Sequence, residues 1–201
     1  MAQTHFRRVG AVRPSHLMYT SGVGALLDLP NFSVLVRGLD DWSYANIPDF
    51  EPIVEPRLLA AVRNLVSRNV KELRSAPWLD GIDQEPSGPA ARVGVPVVPF
   101  PTWLRCSACN ELAPIDAKVF GFENSRARKP HEARFYHPNC ARSRRKPLAV
   151  AARFVLACTA GHLDDFPYRE YVHRGGECPR SSHPRLRMDD RGGNIGANVA
   201  V

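Results

Sequence analysis

Cys106 and Cys109 stand two residues apart in the string WLRCSACNELAPID, and His137 and Cys140 repeat that separation further along as HPNC. A zinc ion takes four soft or borderline donors in a tetrahedron, and two tight turns offering two donors each can close that shell. A closed shell leaves no coordination position for a substrate. The pattern therefore points to a structural Zn2+ and to a binding or scaffold protein before an enzyme. The competing chemistry is a redox dithiol, which opens a helix after a buried strand in a βαβ setting. Here Trp103-Leu104-Arg105 precedes Cys106 and Asn110 to Pro114 follow Cys109, which reads as a knuckle and a turn.

Cys158, His162 and Cys178 are candidate ligands of a second site, with His183 as the fourth donor or none in the chain. The plain alternative makes Cys158 a buried thiol at a strand end and His162 a hydrogen-bonded polar group. Asp164 and Asp165 beside His162 raise a further chemistry, a metal-dependent hydrolase or nuclease built on Cys158, His162, Asp164 and Asp165. Adjacent carboxylates point in different directions on a regular element, and one of such a pair commonly caps a helix. Gly22 and Gly24 lack the Gly-Lys-Ser/Thr that completes a phosphate-binding loop, so they read as a turn. Ser143 to Lys146 matches Ser-x-x-Lys but has none of the companion motifs of acyl-serine enzymes.

The tract from Arg126 to Lys146 holds eight Lys/Arg and one acidic residue, Glu132. Arg126, Arg128, Lys129, Arg142, Arg144, Arg145 and Lys146, with Phe135 and Tyr136 nearby, are candidates for contacts to a nucleic-acid backbone. The alternative is a solvated loop on a basic protein. The whole chain agrees with an acidic partner, carrying 27 Lys/Arg against 20 Asp/Glu in 201 residues for a net charge of +7. Its five cysteines at metal-type spacings fit a reducing cytosol better than a disulfide framework. No apolar run approaches the ~20 residues of a membrane helix. The opening MAQTHFRRVGAVRPS has no apolar signal core. A cytoplasmic chain with no membrane partner is expected.

These residues must be positioned by short elements, because 18 prolines break the chain often. Phe32 to Val36 reads as a strand. Residues 56–74 read as the one long helix, opened by Pro56. Leu58, Leu59, Val62, Leu65, Val66, Val70 and Leu73 form a core-facing stripe, and Arg57, Arg63, Arg68, Lys71 and Arg74 line the solvated side. Pro77 to Pro101 is a long loop ending in a short strand near Val93 to Val98. Val119 to Phe122 and Arg134 to Tyr136 are expected to pair as the strands of a zinc ribbon. The run LAVAARFVLA suggests a buried strand, at least over Arg153 to Ala157, and Asp165 to His173 a short helix stopped by Gly175-Gly176. The expected fold class is α+β: an irregular mixed α/β N-terminal region over 1–101, a zinc-ribbon module over 102–147, and a strand-helix tail over 148–201.

Longer strings carry a resemblance. Arg13-Pro14-Ser15, Tyr19 to Ala25, Asp28 to Asn31 and Gly38 to Trp42 occur in order, followed by WLRCSACNELAPID, HPNC and ARFVLACTAGHLDDFPYREYVHRG. Together they resemble the DrmB family, the helicase-associated subunit of DISARM phage-defence systems, over most of residues 7–178. The resemblance implies a DrmA-like helicase partner that holds the ATPase motor, and DNA as the shared target. It matches Cys106, Cys109, His137 and Cys140 to one metal cluster and Cys158, His162 and Cys178 to a second. Chains of that family are several times longer and carry more cysteines, so the second cluster is expected to lack part of its shell here. The expected function is a non-catalytic, zinc-stabilised accessory subunit that contributes to DNA binding and complex assembly. Two other classes stay open: the hydrolase or nuclease above, and an interaction protein that does not touch nucleic acid.

Overall fold

A computed structural model describes residues 10–79, 93–124, 132–176, 178, 185–189 and 198–200. The fold is α+β, with short antiparallel strands and three short α-helices among the described residues. In chain order the first elements are β1 (Gly10–Val12), α1 (Pro14–Tyr19), β2 (Leu26–Asp28), β3 (Ser33–Val36), α2 (Pro56–Leu65), β4 (Val95–Pro99), β5 (Trp103–Cys106) and β6 (Glu111–Pro114). They are followed by β7 (Gly121–Glu123), β8 (Arg134–Tyr136), β9 (Leu148–Ala151), β10 (Val155–Ala157), β11 (Leu163–Asp165), α3 (Tyr168–Val172), β12 (Leu186–Asp189) and β13 (Asn198–Ala200). The chain forms two compact units, Met1–Ala25 with Leu35–Val98, and Leu26–Val34 with Pro99–Val201.

In the first unit β4 runs antiparallel to β1, with Val12 opposite Val95 and Gly10 opposite Val97. The run VPVVP is buried along its whole length, as expected of a strand covered on both faces. Pro96 has no N–H to offer the ladder, but its carbonyl accepts the N–H of Arg37. α2 opens at Pro56, where the missing N–H costs nothing.

This helix stops at Leu65 instead of running to residue 74. Ser67 Oγ accepts the N–H of Asn69, and the Arg63 side chain donates to the carbonyls of Val70 and Lys71. Side-chain bonds to the backbone here replace the helical ladder, a known habit of serine. Leu73 instead forms an isolated bridge to Ile53. The expectation of a core-packed helix is corrected as well. α2 buries none of its residues, and Leu58 and Leu65 are 51% and 85% exposed.

The second unit is built on a seven-stranded sheet of order β13-β12-β6-β5-β9-β8-β7. Its pairings are antiparallel, including Leu104 opposite Ala113 and Ala151, and Phe122 opposite Phe135. The two ribbon strands form where the sequence placed them, give or take two residues. They continue into β9 through Phe135 opposite Ala149. One core cluster gathers Leu112, Ala152, Tyr168, Leu186 and Met188, with Trp103, Phe154 and Phe166 packed against it. Tyr168 reaches into it from α3, and its hydroxyl is satisfied by the backbone of Phe154. A second cluster packs Phe32 edge-on against Phe122 and Phe135, and Asn31 Nδ2 donates to the carbonyl of Ala133 at 2.9 Å. A Cβ at Gly121 would lie 2.6 Å from the Tyr136 ring, so glycine there lets that ring lie over β7 without shifting.

The apolar run LAVAARFVLA is not one buried strand. It divides at Ala152 into β9, inside the large sheet, and β10, which among the described residues pairs only with β11 and is exposed at all three positions. The helix expected over Asp165 to His173 starts at Tyr168, because Asp165 ends β11.

Candidate metal centre

Strand register brings the two Cys/His pairs together. β5 delivers Cys106 at its last residue and turns through Cys109 into β6. The N–H of Asn110 returns to the carbonyl of Cys106 at 3.0 Å, closing the first knuckle. Asn110 sits at φ 63°, a left-handed conformation that asparagine adopts more readily than most residues. β9 lies between β5 and β8, with Cys106 opposite Ala149 and Tyr136 opposite Leu148. The N–H groups of Ser107 and His137 donate to Leu148 and Pro147. The start of β9 thus fixes both knuckles to one end of the sheet.

The ligand atoms of Cys106, Cys109, His137 and Cys140 all lie within 4.8 Å of one another. Cys106 Sγ is 3.8 Å from Cys140 Sγ, and Cys109 Sγ is 3.4 Å from His137 Nδ1. A tetrahedral ion with metal–sulfur bonds of about 2.3 Å and metal–nitrogen bonds of about 2.1 Å sets sulfurs about 3.8 Å apart and sulfur and nitrogen about 3.6 Å apart. A disulfide would need sulfurs about 2.0 Å apart. The donor set fits a tetrahedral metal ion, and these four residues can hold one. Cys106 and His137 are buried, while Cys109 and Cys140 are half-buried.

Crowded thiols interact strongly in the absence of a cation. Burial pushes the Cys109 thiol up to about 12; the Glu111 N–H opposes it as the next-largest effect, and hydrogen bonding to Cys106 and Cys140 adds smaller upward effects. Burial also acts to raise Cys140. It is outweighed there by the N–H of Arg142, the Cys109 and Cys106 side chains and the N–H of Ser143, which together hold the thiol below its usual value. A divalent cation resolves this conflict by stabilising all the thiolates at once, and binding it must release protons.

One family model matches this region and its surroundings together. The chain belongs to the family described as Domain of unknown function (DUF8724), whose model matches residues 13–201. No curated protein matches it. The DUF8724 match spans the sheet and all four donors of the cluster.

Other expected site residues of this DUF8724 chain separate. Cys158 Sγ and His162 Nδ1 are 3.3 Å apart across the β10–β11 turn, on an exposed hairpin. The side chain of Cys178 is hydrogen-bonded to His173 instead. Among the described residues the first cluster is the only set of three or more donors gathered closely enough for an ion. His183 lies outside the described residues. Asp165 is engaged by Thr102, whose N–H donates to Oδ1 at 2.8 Å and whose hydroxyl donates to Oδ2. Asp164 Oδ1 accepts the N–H of Asp165. Asp165 ties β11 to the start of β5, Asp164 holds local backbone, and among the described residues the two do not gather with His162 closely enough for an ion.

Of the basic tract, Arg126, Arg128 and Lys129 lie outside the described residues. Arg142, Arg144, Arg145 and Lys146 follow the second knuckle directly and are all exposed. Lys146 holds its Nζ 5.3 Å from the centre of the Tyr136 ring. Among the described residues no helix is long and apolar enough to cross a membrane.

Three residues of the centre were not singled out from sequence. Glu111, buried at 8% exposure, points a carboxylate oxygen to within 3.6 Å of His137 Nε2. Arg185 grips that carboxylate through Nε and Nη2, each at 2.9 Å. Asn110 ties the first knuckle to β12, donating from Nδ2 to Asp189 at 2.7 Å and accepting the N–H of Met188 at its carbonyl. An acidic residue two places after a metal-type cysteine was a visible signal for Glu111. Arg185 lies 74 residues further on, with no local pattern to mark it.

Proposed function

We propose that this chain is a non-catalytic accessory protein in which a structural Zn2+, held by Cys106, Cys109, His137 and Cys140, fixes a basic surface for nucleic acid. The observation that carries the reading is the closed four-donor set, with two pair distances that match a tetrahedral shell. Three sulfurs and one imidazole suit zinc, and a shell filled by protein donors leaves no place for a reacting group. The ion would act by holding two turns together. Cys140 is one residue short of Ala141 and two short of Arg142, so the second knuckle sets where Arg142, Arg144, Arg145 and Lys146 emerge. No described acidic residue pairs with these four side chains, which suits phosphate as their counterion. The resemblance of the long strings to DrmB supports a cytoplasmic setting in a helicase-containing phage-defence complex, with a DrmA-like subunit and DNA as partners.

DNA binding measured across salt concentrations tests the surface. Each phosphate contact lowers the slope of log K against log salt by about 0.9 on duplex DNA. Replacing Arg142, Arg144, Arg145 and Lys146 by alanine is expected to flatten the slope by about 3.6 and to leave the bound zinc in place. Binding with no salt dependence, or no binding at all, contradicts the nucleic-acid reading. A nuclease activity of the pure protein with Zn2+ or Mn2+ would replace the non-catalytic reading.

A further inference from the structure

The buried carboxylate behind the cluster has no part in the closed shell, yet it is gripped at two points by Arg185 and lies 3.6 Å from His137 Nε2. Glu111 is the first residue of β6 and follows the knuckle directly. A buried ionised carboxylate is expensive unless it is paired and hydrogen-bonded. Its oxygens face two groups: the Arg185 fork, and the ring edge of His137 that points away from Cys109. Arg185 stands one residue before β12, which is paired to β6 through Leu186 opposite Leu112 and Arg187 opposite Glu111. The sheet itself therefore brings Arg185 to Glu111. Phe120 packs edge-on against the imidazole, with ring centres 5.4 Å apart, and limits its rotation.

We infer that Glu111 and Arg185 are positioning residues of the metal centre: Arg185 fixes the carboxylate, and the carboxylate fixes His137 with its proton on Nε2 and its Nδ1 lone pair toward Cys109. The inference rests on the metal reading above. A carboxylate behind a ligating histidine selects the tautomer, orients the ring and raises its donor strength. The charges agree with the arrangement. Three thiolates around a divalent cation leave one net negative charge, Glu111 adds a second, and Arg185 cancels it. The strand β12 thereby contributes to ion binding without supplying a ligand.

The test is zinc affinity by chelator competition on the full chain, together with the visible absorption bands of the Co2+-loaded protein. The wild type is expected to bind one ion. Glu111→Gln should weaken binding about tenfold or more and shift the Co2+ bands, the scale seen when such outer partners are lost. Arg185→Ala should weaken binding in the same direction, and adding it to Glu111→Gln should change little further, because Arg185 acts through the carboxylate. His137→Cys supplies the control that separates positioning from general stability. With no imidazole to orient, Glu111→Gln in that background should no longer weaken binding. If wild type and Glu111→Gln bind one ion equally well with the same bands, the positioning role is overturned and the metal reading stands. An equal loss in the His137→Cys background also overturns it, by showing a merely structural effect. If the wild type binds no ion, both fall together.

Discussion

Cys106 and Cys158 each end or follow a three- or four-residue strand, and each has a partner donor within four residues, but their settings are opposite. Cys106 is fully buried on β5, which has β6 on one side and β9 on the other. Cys158 is exposed and follows β10, whose only neighbour among the described residues is β11. Around Cys106, three registered strands bring donors from two distant turns to one point. Around Cys158, the hairpin supplies His162 and nothing more within reach among the described residues. Ligand spacing defines which pairs can form. A closed site also requires a sheet stiff enough to hold two pairs against each other.

The strongest way to break this comparison is to remove one thiol from each region. Cys106→Ser should abolish metal binding and lower the melting temperature by about 8–16 °C or more, since losing a structural metal costs on the order of 4 kcal/mol or more and each kcal/mol is worth about 2–4 °C at this size. Cys158→Ser should keep the metal and change stability by less than about 0.5 kcal/mol, as an exposed substitution does. Calorimetry and metal analysis on the two variants decide between equal and unequal roles.

Packing offers the next contrast. Leu104 in β5 is 1% exposed and Leu156 in β10 is 44% exposed. Leu104→Ala should cost about 2–5 kcal/mol in denaturant unfolding, from lost burial and the cavity left behind. Leu156→Ala should cost less than about 0.5 kcal/mol. Equal costs would mean that β10 is covered in solution.

Asn110 tests the link between the first knuckle and the strand that carries Arg185. Asn110→Ala removes hydrogen bonds to Arg105 and Asp189 and leaves alanine at a positive φ. A loss of about 1–3 kcal/mol is expected, with a smaller effect on zinc affinity than Cys106→Ser.

The parts of the fold legible in the sequence were those set by local chemistry. The knuckles, the β8 strand and the Pro56 helix start each depend on a few neighbouring residues. The four gathered Cys/His donors were legible because metal geometry constrains spacing more tightly than a strand does. Failures arose where tertiary context decides. The stripe from Leu58 to Leu73 has helical period, but the segment turns at Ser67 and its apolar face is left open. The run LAVAARFVLA is apolar enough for a core, yet Ala152 and Arg153 bend it out of the sheet before Val155. Glu111 and Arg185 meet only because β6 pairs with β12, a register that no local pattern announces.

The smallest effect expected is the acid dependence of the first cluster. Thiolates must lose protons to bind an ion, and Cys109 holds its proton tightly in the metal-free protein. Zinc uptake should release protons near neutral pH, and affinity should fall as pH drops. Calorimetric titrations in buffers of different ionisation enthalpy measure the proton count directly.

The account rests on one ion held by Cys106, Cys109, His137 and Cys140. Elemental analysis of the purified chain beside its Cys106→Ser and Cys158→Ser variants tests that most directly. One zinc per chain in the wild type and in Cys158→Ser, with none in Cys106→Ser, is the predicted result. Zinc retained by Cys106→Ser, or lost from Cys158→Ser, would contradict it.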